Sequence, residues 1–109
     1  MLDFSIICEK ELLNILIQIE SIDIKSVLDC DYQDGVLTIK PLSSDNFKYF
    51  VVNRHNSSGK IWYSSPISGV DYFSFDEGLG VWKNKEQKQL KSIVTQEMSL
   101  YIEKLTTNQ

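Results

Sequence analysis

Apolar residues recur at helical spacing near both ends of the chain. Between Phe4 and Glu20 they line one side of a helix, whose first turn Asp3 or Ser5 can cap. A second stripe predicts a C-terminal helix that opens at Asn84 and Gln87, since their spacing resembles a capping box. The first stripe consists of Phe4, Cys8, Leu12, Ile15, Leu16 and Ile19, and the second of Leu90, Ile93, Val94, Met98, Tyr101 and Leu105.

Between these helices, short segments alternate between apolar and polar residues, as strands do. Asp34-Gly35 separates the first two segments and predicts a tight hairpin turn. Short connections favour antiparallel pairing, and two flanking helices must cover the same face of the sheet. The sequence therefore predicts one α+β domain over residues 1–109, a two-layer sandwich with two helices on one face of a mainly antiparallel sheet. The predicted strands are Val27–Tyr32, Val36–Lys40, Phe47–Asn53, Lys60–Ser64, Val70–Phe75 and Val81–Lys83.

The fourth predicted strand carries a tryptophan on its polar face. Alternation places Trp62 beside Lys60, on the side opposite to Ile61 and Tyr63. A large aromatic side chain in a polar surface, here near Asn53, is typical of a binding site with one anchoring residue. The uncovered face of the sheet is therefore predicted to bind a partner.

The net charge of −4 is unevenly distributed. Residues 1–34 contain eight carboxylates and two lysines, whereas residues 35–70 contain four basic residues and one aspartate. The first region attracts cations, and the second attracts acidic partners. A sheet that binds single-stranded nucleic acid through exposed aromatics is an alternative, but the net negative charge argues against it. No apolar run reaches membrane-spanning length, so no membrane partner is predicted.

The acidic region contains the candidate metal-binding residues. Asp29 and Asp31 share one face of a strand, with side chains about 7 Å apart at strand spacing, and Asp34 follows at the turn. Clustered carboxylates without histidine or cysteine favour hard cations, including Fe³⁺ and, less tightly, Fe²⁺. Such a site would be open and weak. The alternative is a solvated acidic face that keeps the protein soluble.

The sequence lacks the motifs of common catalytic sites. His55 is the only histidine, and no nucleophile elbow, Walker loop or dinucleotide-binding fingerprint is present. The Asn, Ser and Gly residues around His55 predict an exposed loop, with contact to a partner, metal binding or a catalytic role as alternatives. Cys8 and Cys30 form no CxxC pair, which indicates two reduced, largely buried thiols.

Three motifs resemble the frataxin family. They are Asp34–Ile39 (DGVLTI), Val52–Arg54 (VNR) and Ile61–Gly69 (IWYSSPISG), and the similarity extends from about Phe4 to Leu105. The resemblance implies an iron-binding accessory protein of iron–sulfur cluster biogenesis. It would act as an iron chaperone or as a modulator of the complex between a cysteine desulfurase and a scaffold protein. A slow ferroxidase or iron-storage protein is the alternative that the family offers.

The resemblance also implies two functional surfaces. One is an acidic ridge on the first helix and first strand that binds Fe²⁺ or Fe³⁺ weakly, and the other docks on the protein partners. Some positions depart from the family pattern, because Lys60 replaces a glutamine and the first helix carries fewer acids. The predicted metal-binding residues are Glu9, Glu11, Glu20, Asp23, Asp29, Asp31 and Asp34. The predicted partner-binding residues are Asn53, Arg54, His55, Lys60 and Trp62.

Location and assembly follow from the same resemblance. The family occurs in mitochondria, in mitochondrion-derived organelles and in the bacterial cytoplasm. We expect the mitochondrial matrix or such an organelle, with the bacterial cytoplasm as the alternative. We also expect a monomer, with iron-dependent oligomers as an alternative assembly.

Overall fold

Two helices lie across one face of a six-stranded sheet in the computed structural model, which describes residues 3–42 and 48–107. The strands follow one another in chain order across the sheet, and each pairs antiparallel with the next. The fold class predicted from the sequence is confirmed. The elements are α1 (Phe4–Ile22), β1 (Leu28–Gln33), β2 (Val36–Pro41), β3 (Phe50–His55), β4 (Lys60–Ser65), β5 (Gly69–Asp76), β6 (Val81–Lys83) and α2 (Leu90–Thr107).

Local hydrogen bonds determine where α1 begins and how the chain leaves it. The Asp3 carboxylate accepts the backbone N–H groups of Ser5 and Ile6, at 2.9 and 3.3 Å, and so satisfies two of the free donors at the helix start. After the helix, the Asp23 carboxylate accepts the N–H groups of Val27 and Leu28. These bonds hold the connection that leads directly into β1.

The start of α2 differs from the prediction. Asn84 and Gln87 do not form a capping box, since the helix begins only at Leu90. The Asn84 side chain accepts the N–H groups of Glu86 and Lys88, and Gln87 has a φ of +66°, which excludes it from a right-handed helix. Asparagine forms the same local bonds in a turn as in a helix cap, so the motif alone did not distinguish them.

All six predicted strands are present, and only the third differs from its predicted bounds by more than one residue. The third strand was predicted at Phe47–Asn53, but β3 begins at Phe50 and extends to His55, while Phe47 lies outside the described residues. The hairpin turn at Asp34-Gly35 is present, and both residues have positive φ, as a type I′ turn requires.

The core lies between the sheet and the helices. Alternate strand residues face inwards, and both helices bury the stripes that their spacing predicted. Burial raises the pKa of the Cys8 thiol to about 12 and that of the half-buried Cys30 thiol to about 11, so both free thiols stay protonated. Buried core residues include Leu12, Ile15, Leu37, Ile39, Phe50, Val52, Ile61, Tyr63, Phe73, Trp82, Val94 and Met98.

A hydrogen-bond network connects α2 to β4. Tyr63 Oη and Ser65 Oγ both donate to Glu97 Oε1, at 2.7 and 2.8 Å. Ser65 Oγ also accepts the N–H groups of Ile67 and Ser68, which orders the turn after the strand. Burial and the bond to the Glu97 carboxylate raise the pKa of Tyr63, so its phenol remains a donor. The network therefore holds β4 in register against the helix layer.

Loss of the Tyr63 hydroxyl should weaken the fold. A hydrogen bond to a charged group stabilises a protein by about 1.5–3 kcal/mol, so we expect Tyr63→Phe to lower the free energy of unfolding by roughly that amount. Urea denaturation at pH 7 measures the change. Tyr72→Phe removes the same atom from an exposed ring and should change stability by less than about 0.5 kcal/mol. Equal stabilities for the two variants would contradict a stabilising role for the Tyr63–Glu97 bond.

Candidate partner-binding and metal-binding surfaces

The face of the sheet opposite the helices carries Trp62 at its centre. In the strand register Trp62 lies between Asn53 of β3 and Tyr72 of β5. The His55 ring stacks on the indole, with ring centres 4.0 Å apart and planes 12° apart, and the Tyr72 ring meets it edge-on at 4.9 Å. Two aromatic neighbours therefore hold a half-buried indole in one orientation on the uncovered face.

The position of His55 differs from the prediction of an exposed loop histidine. His55 is the last residue of β3, it is half-buried, and Lys60 lies opposite it on β4. Its Nδ1 atom lies 2.8 Å from Ser58 Oγ, which fixes the ring from the side of the turn. The Asn, Ser and Gly residues after His55 do form a loop, as predicted. That loop begins at Asn56, so it does not include His55.

Arg54 does not lie on the surface that contains Trp62. Alternation along β3 turns Asn53 and His55 outwards and Arg54 towards the helices. The Arg54 side chain is only 18% exposed, and its Nη2 atom is 3.6 Å from Asp34 Oδ1. It also fills the space beside Gly35, where an added Cβ would approach Arg54 Cζ to 2.9 Å. Arg54 therefore supports the β1–β2 hairpin, and the same period of two that placed Trp62 could have shown this.

The structure brings Asp29 and Asp31 together on the outer face of β1. Their cross-strand partners on β2 are Lys40 and Thr38. Asp29 forms an ion pair with Lys40 at 3.7 Å, whereas Asp31 is exposed. The two carboxylates line an open pocket of about 370 Å³ together with Thr38, Lys40 and Tyr49. This edge of the sheet is the strongest of the predicted metal-binding positions.

Two other predicted metal-binding residues already have partners within the protein. Both oxygens of Asp23 accept backbone N–H groups at 2.9 Å. Asp34 is 93% exposed and pairs with Arg54 beside the hairpin turn. Neither carboxylate lies on the outer face with Asp29 and Asp31.

The glutamates of α1 point in different directions. Glu9 and Glu20 are exposed, and Glu9 lies beside Tyr32, whose pKa is raised by burial and then by the Glu9 charge. Glu11 is half-buried and turned towards α2. Burial raises the pKa of Glu11, an effect that Lys91 opposes. Within residues 3–42 and 48–107, no group of three or more His, Cys, Asp or Glu side chains is placed to hold a metal ion.

Known proteins share both the sequence pattern and the fold of this chain. A family model described as a frataxin-like domain matches residues 2–104. The iron–sulfur cluster assembly protein CyaY of Thioalkalivibrio sulfidiphilus is 32% identical over 83 residues, which cover 76% of this chain and 74% of that protein. The mitochondrial frataxin of Arabidopsis thaliana is 31% identical over 71 residues, 64% of this chain but only 36% of the longer plant protein.

Solved structures show the same fold. Trimeric frataxin from Saccharomyces cerevisiae, complexed with ferrous iron, superposes with a TM-score of 0.69 at 23% identity, covering 94% of this chain and 88% of that chain. Frataxin from Psychromonas ingrahamii gives a TM-score of 0.58 at 15% identity, with 85% of each chain covered. Among the described residues, neither helix is long and apolar enough to cross a membrane.

The buried position of Glu11 predicts a pH-dependent stability. Because the folded state raises its pKa, the stability that Glu11 contributes below its unfolded pKa is lost as the pH rises through the folded pKa. We expect Glu11→Gln to be more stable than the natural chain at pH 7, and the difference to vanish below about pH 4, where the glutamate is protonated in both states. Urea denaturation at the two pH values measures this.

Glu103→Gln provides the matched control. It removes the same charge from an exposed position on α2 and should show no comparable gain at pH 7. A Glu11→Gln variant that is less stable than the natural chain at pH 7 would contradict the inferred cost of ionising Glu11.

Proposed function

The chain belongs to the frataxin-like domain family, and on that premise we propose that it serves iron–sulfur cluster assembly by binding iron weakly and docking on a cysteine desulfurase–scaffold complex. A relative that is 32% identical over most of both chains is named an iron–sulfur cluster assembly protein. The observation that carries the proposal is the fixed indole of Trp62 on the one face of the sheet that the helices leave uncovered.

The surface around Trp62 has the properties of a protein-docking site. Val70 and Tyr72, which are 57% and 47% exposed, extend the apolar area beside the indole. Asn53 adds a polar group on the other side of Trp62 in the register. A large aromatic ring held by its neighbours loses little side-chain entropy on binding, so most of its buried area contributes to affinity.

The Trp62 ring also carries a hydrogen-bond donor without a partner. Its Nε1 atom is buried, and no acceptor among the described residues receives its hydrogen. A buried donor left unpaired costs about 1–3 kcal/mol. The exposed part of the indole, and not this buried atom, is therefore what a docking partner can contact.

Iron is the cargo that Asp29 and Asp31 would hold. Carboxylate oxygens suit Fe²⁺ and Fe³⁺, and two side chains on one strand face can bind an ion while water completes its coordination. The ammonium of Lys40, 3.7 Å from Asp29, competes with the metal for that carboxylate. The arrangement therefore suits weak, exchangeable binding, as delivery to another protein requires. Yeast frataxin, which shares the fold, has been crystallised in complex with ferrous iron.

Removal of the indole should weaken docking strongly without unfolding the protein. We expect Trp62→Ala to weaken binding to the desulfurase–scaffold complex by about 2 kcal/mol or more, close to thirtyfold, because aromatic anchors dominate such interfaces. Surface plasmon resonance measures the affinity, and circular dichroism checks the fold. Leu100→Ala removes an exposed apolar side chain from α2 and should bind normally. Unchanged affinity in Trp62→Ala would refute the docking surface.

The iron site can be tested on the protein alone. In an anaerobic NMR titration with Fe²⁺, we expect paramagnetic broadening at residues 29–31. The double variant Asp29→Asn/Asp31→Asn should lose this broadening, since neutral amides bind the ion far more weakly. The control Glu86→Gln/Glu103→Gln removes two exposed charges elsewhere and should keep it. Broadening that persists in the aspartate variant would place the iron at another position.

A further inference from the structure

A pocket opens beside Trp62 at the far edge of the sheet. β6 pairs only with Ser74–Asp76, so the first half of β5 has no strand beyond it, and the segment after β6 lies next to this gap. The space between them is an open pocket of about 570 Å³. We name it the lysine pocket, after Lys60, Lys83 and Lys85, which line it together with Val70, Tyr72 and Asn84.

The carboxylates that also line the lysine pocket are engaged in internal bonds. Asp76 pairs with Lys83 at 2.8 Å and accepts the Leu79 N–H at 3.0 Å. Asp71 accepts the Tyr72 N–H at 2.8 Å and a hydrogen from Asn84 Nδ2 at 2.9 Å. Asp76 is thus neutralised by Lys83, whereas Asp71 is held by neutral donors and keeps its charge.

The lysine pocket contains three ammonium groups and two carboxylates, a net charge of +1, and two of its lysines form no ion pair with a described residue. Lys60 and Lys85 are exposed, and neither forms an ion pair within 4.0 Å in the part of the chain that the structure describes. They come from different elements, β4 and the segment after β6, yet border the same space. The pocket is thus a positively charged site on a protein whose net charge is −4.

The lysine pocket is continuous with the apolar surface around Trp62. Tyr72 lines the pocket and also meets the indole edge-on. A ligand that fits both must place a negative charge next to an apolar group. The Tyr72 N–H, which would otherwise be offered to an added strand, is already bound by the Asp71 carboxylate. Recognition here must therefore rely on side chains and not on extension of the sheet.

We propose that the lysine pocket binds a carboxylate side chain of the protein that docks on Trp62, so that the partner's contact segment carries an acidic residue next to its apolar anchor. This inference rests on the proposed docking function and specifies the chemistry of the partner. Asp29 and Asp31 carry the opposite charge at the other edge of the same face. They would repel the partner's acidic residue and so exclude docking of the partner in the reversed orientation.

Charge reversal in the pocket tests the inference. We expect Lys60→Glu and Lys85→Glu each to weaken binding to the desulfurase–scaffold complex by about tenfold at low salt, chiefly through slower association, and less at high salt. Lys104→Glu makes the same change on the last turn of α2 and should stay within about twofold of the natural chain. An equal loss in Lys104→Glu would show that net charge alone is responsible and would overturn the pocket.

The comparison with Trp62→Ala separates the two proposals. If Trp62→Ala abolishes binding and both lysine variants bind normally, the carboxylate site is refuted and the docking function stands. If the lysine variants lose affinity while Trp62→Ala does not, docking through the indole is refuted, and the proposed pairing of an acidic residue with an apolar anchor at Trp62 is overturned with it.

A titration without the partner protein gives an independent test. An N-acetylated tri-glutamate peptide should shift the amide NMR signals of Lys60, Tyr72 and Lys85 in a saturable manner, and Lys85→Glu should remove these shifts. Inorganic phosphate is the second arm. If phosphate produces the same shifts at equal or lower concentration, the site is a general anion site and the proposed carboxylate recognition is overturned.

Discussion

Both helices pack against the same face of the sheet. This packing decides which strand side chains point into the core and which point outwards. In β4, Ile61 and Tyr63 are drawn into the core, and the bond from Tyr63 to Glu97 of α2 holds the strand in this register. Because side chains alternate, Trp62 must then project from the opposite face. A shift of one residue would bury Lys60 and expose Ile61, so burial of the core and exposure of the indole are consequences of the same register.

The uncovered face is polarised across its width. Asp29 and Asp31 lie on β1 at one edge, the aromatic group around Trp62 lies near the middle, and the lysine pocket lies along β5, between Lys60 of β4 and the segment after β6. A cation and an acidic protein segment would thus be attracted to opposite ends of a single surface. Iron and a protein partner would thus be able to bind at the same time, since they would contact different residues of this face.

Several short sequence patterns were sufficient to determine the local structure that they form. The Asp34-Gly35 turn, the apolar stripes of both helices and the alternation in β4 formed as the sequence predicted, since each depends on neighbours within a few residues. The error in the predicted start of α2 arose because one local motif is compatible with two structures. Asn84 can bond to backbone N–H groups in a turn as well as at a helix start, and here it accepts from Glu86 and Lys88 in the turn before α2.

By itself, the sequence determined the fold class, the face on which Trp62 lies and the uneven charge of the chain, because these follow from periodicity and composition. Only the tertiary structure decided how the charged residues were divided. Asp23 was engaged by backbone donors, and Glu11 was half-buried against α2. Likewise, the lysines at positions 60 and 85 line one pocket although they are far apart in the sequence. Contacts between distant segments leave no local pattern in the sequence, which is why residue type alone could not assign these side chains to a site.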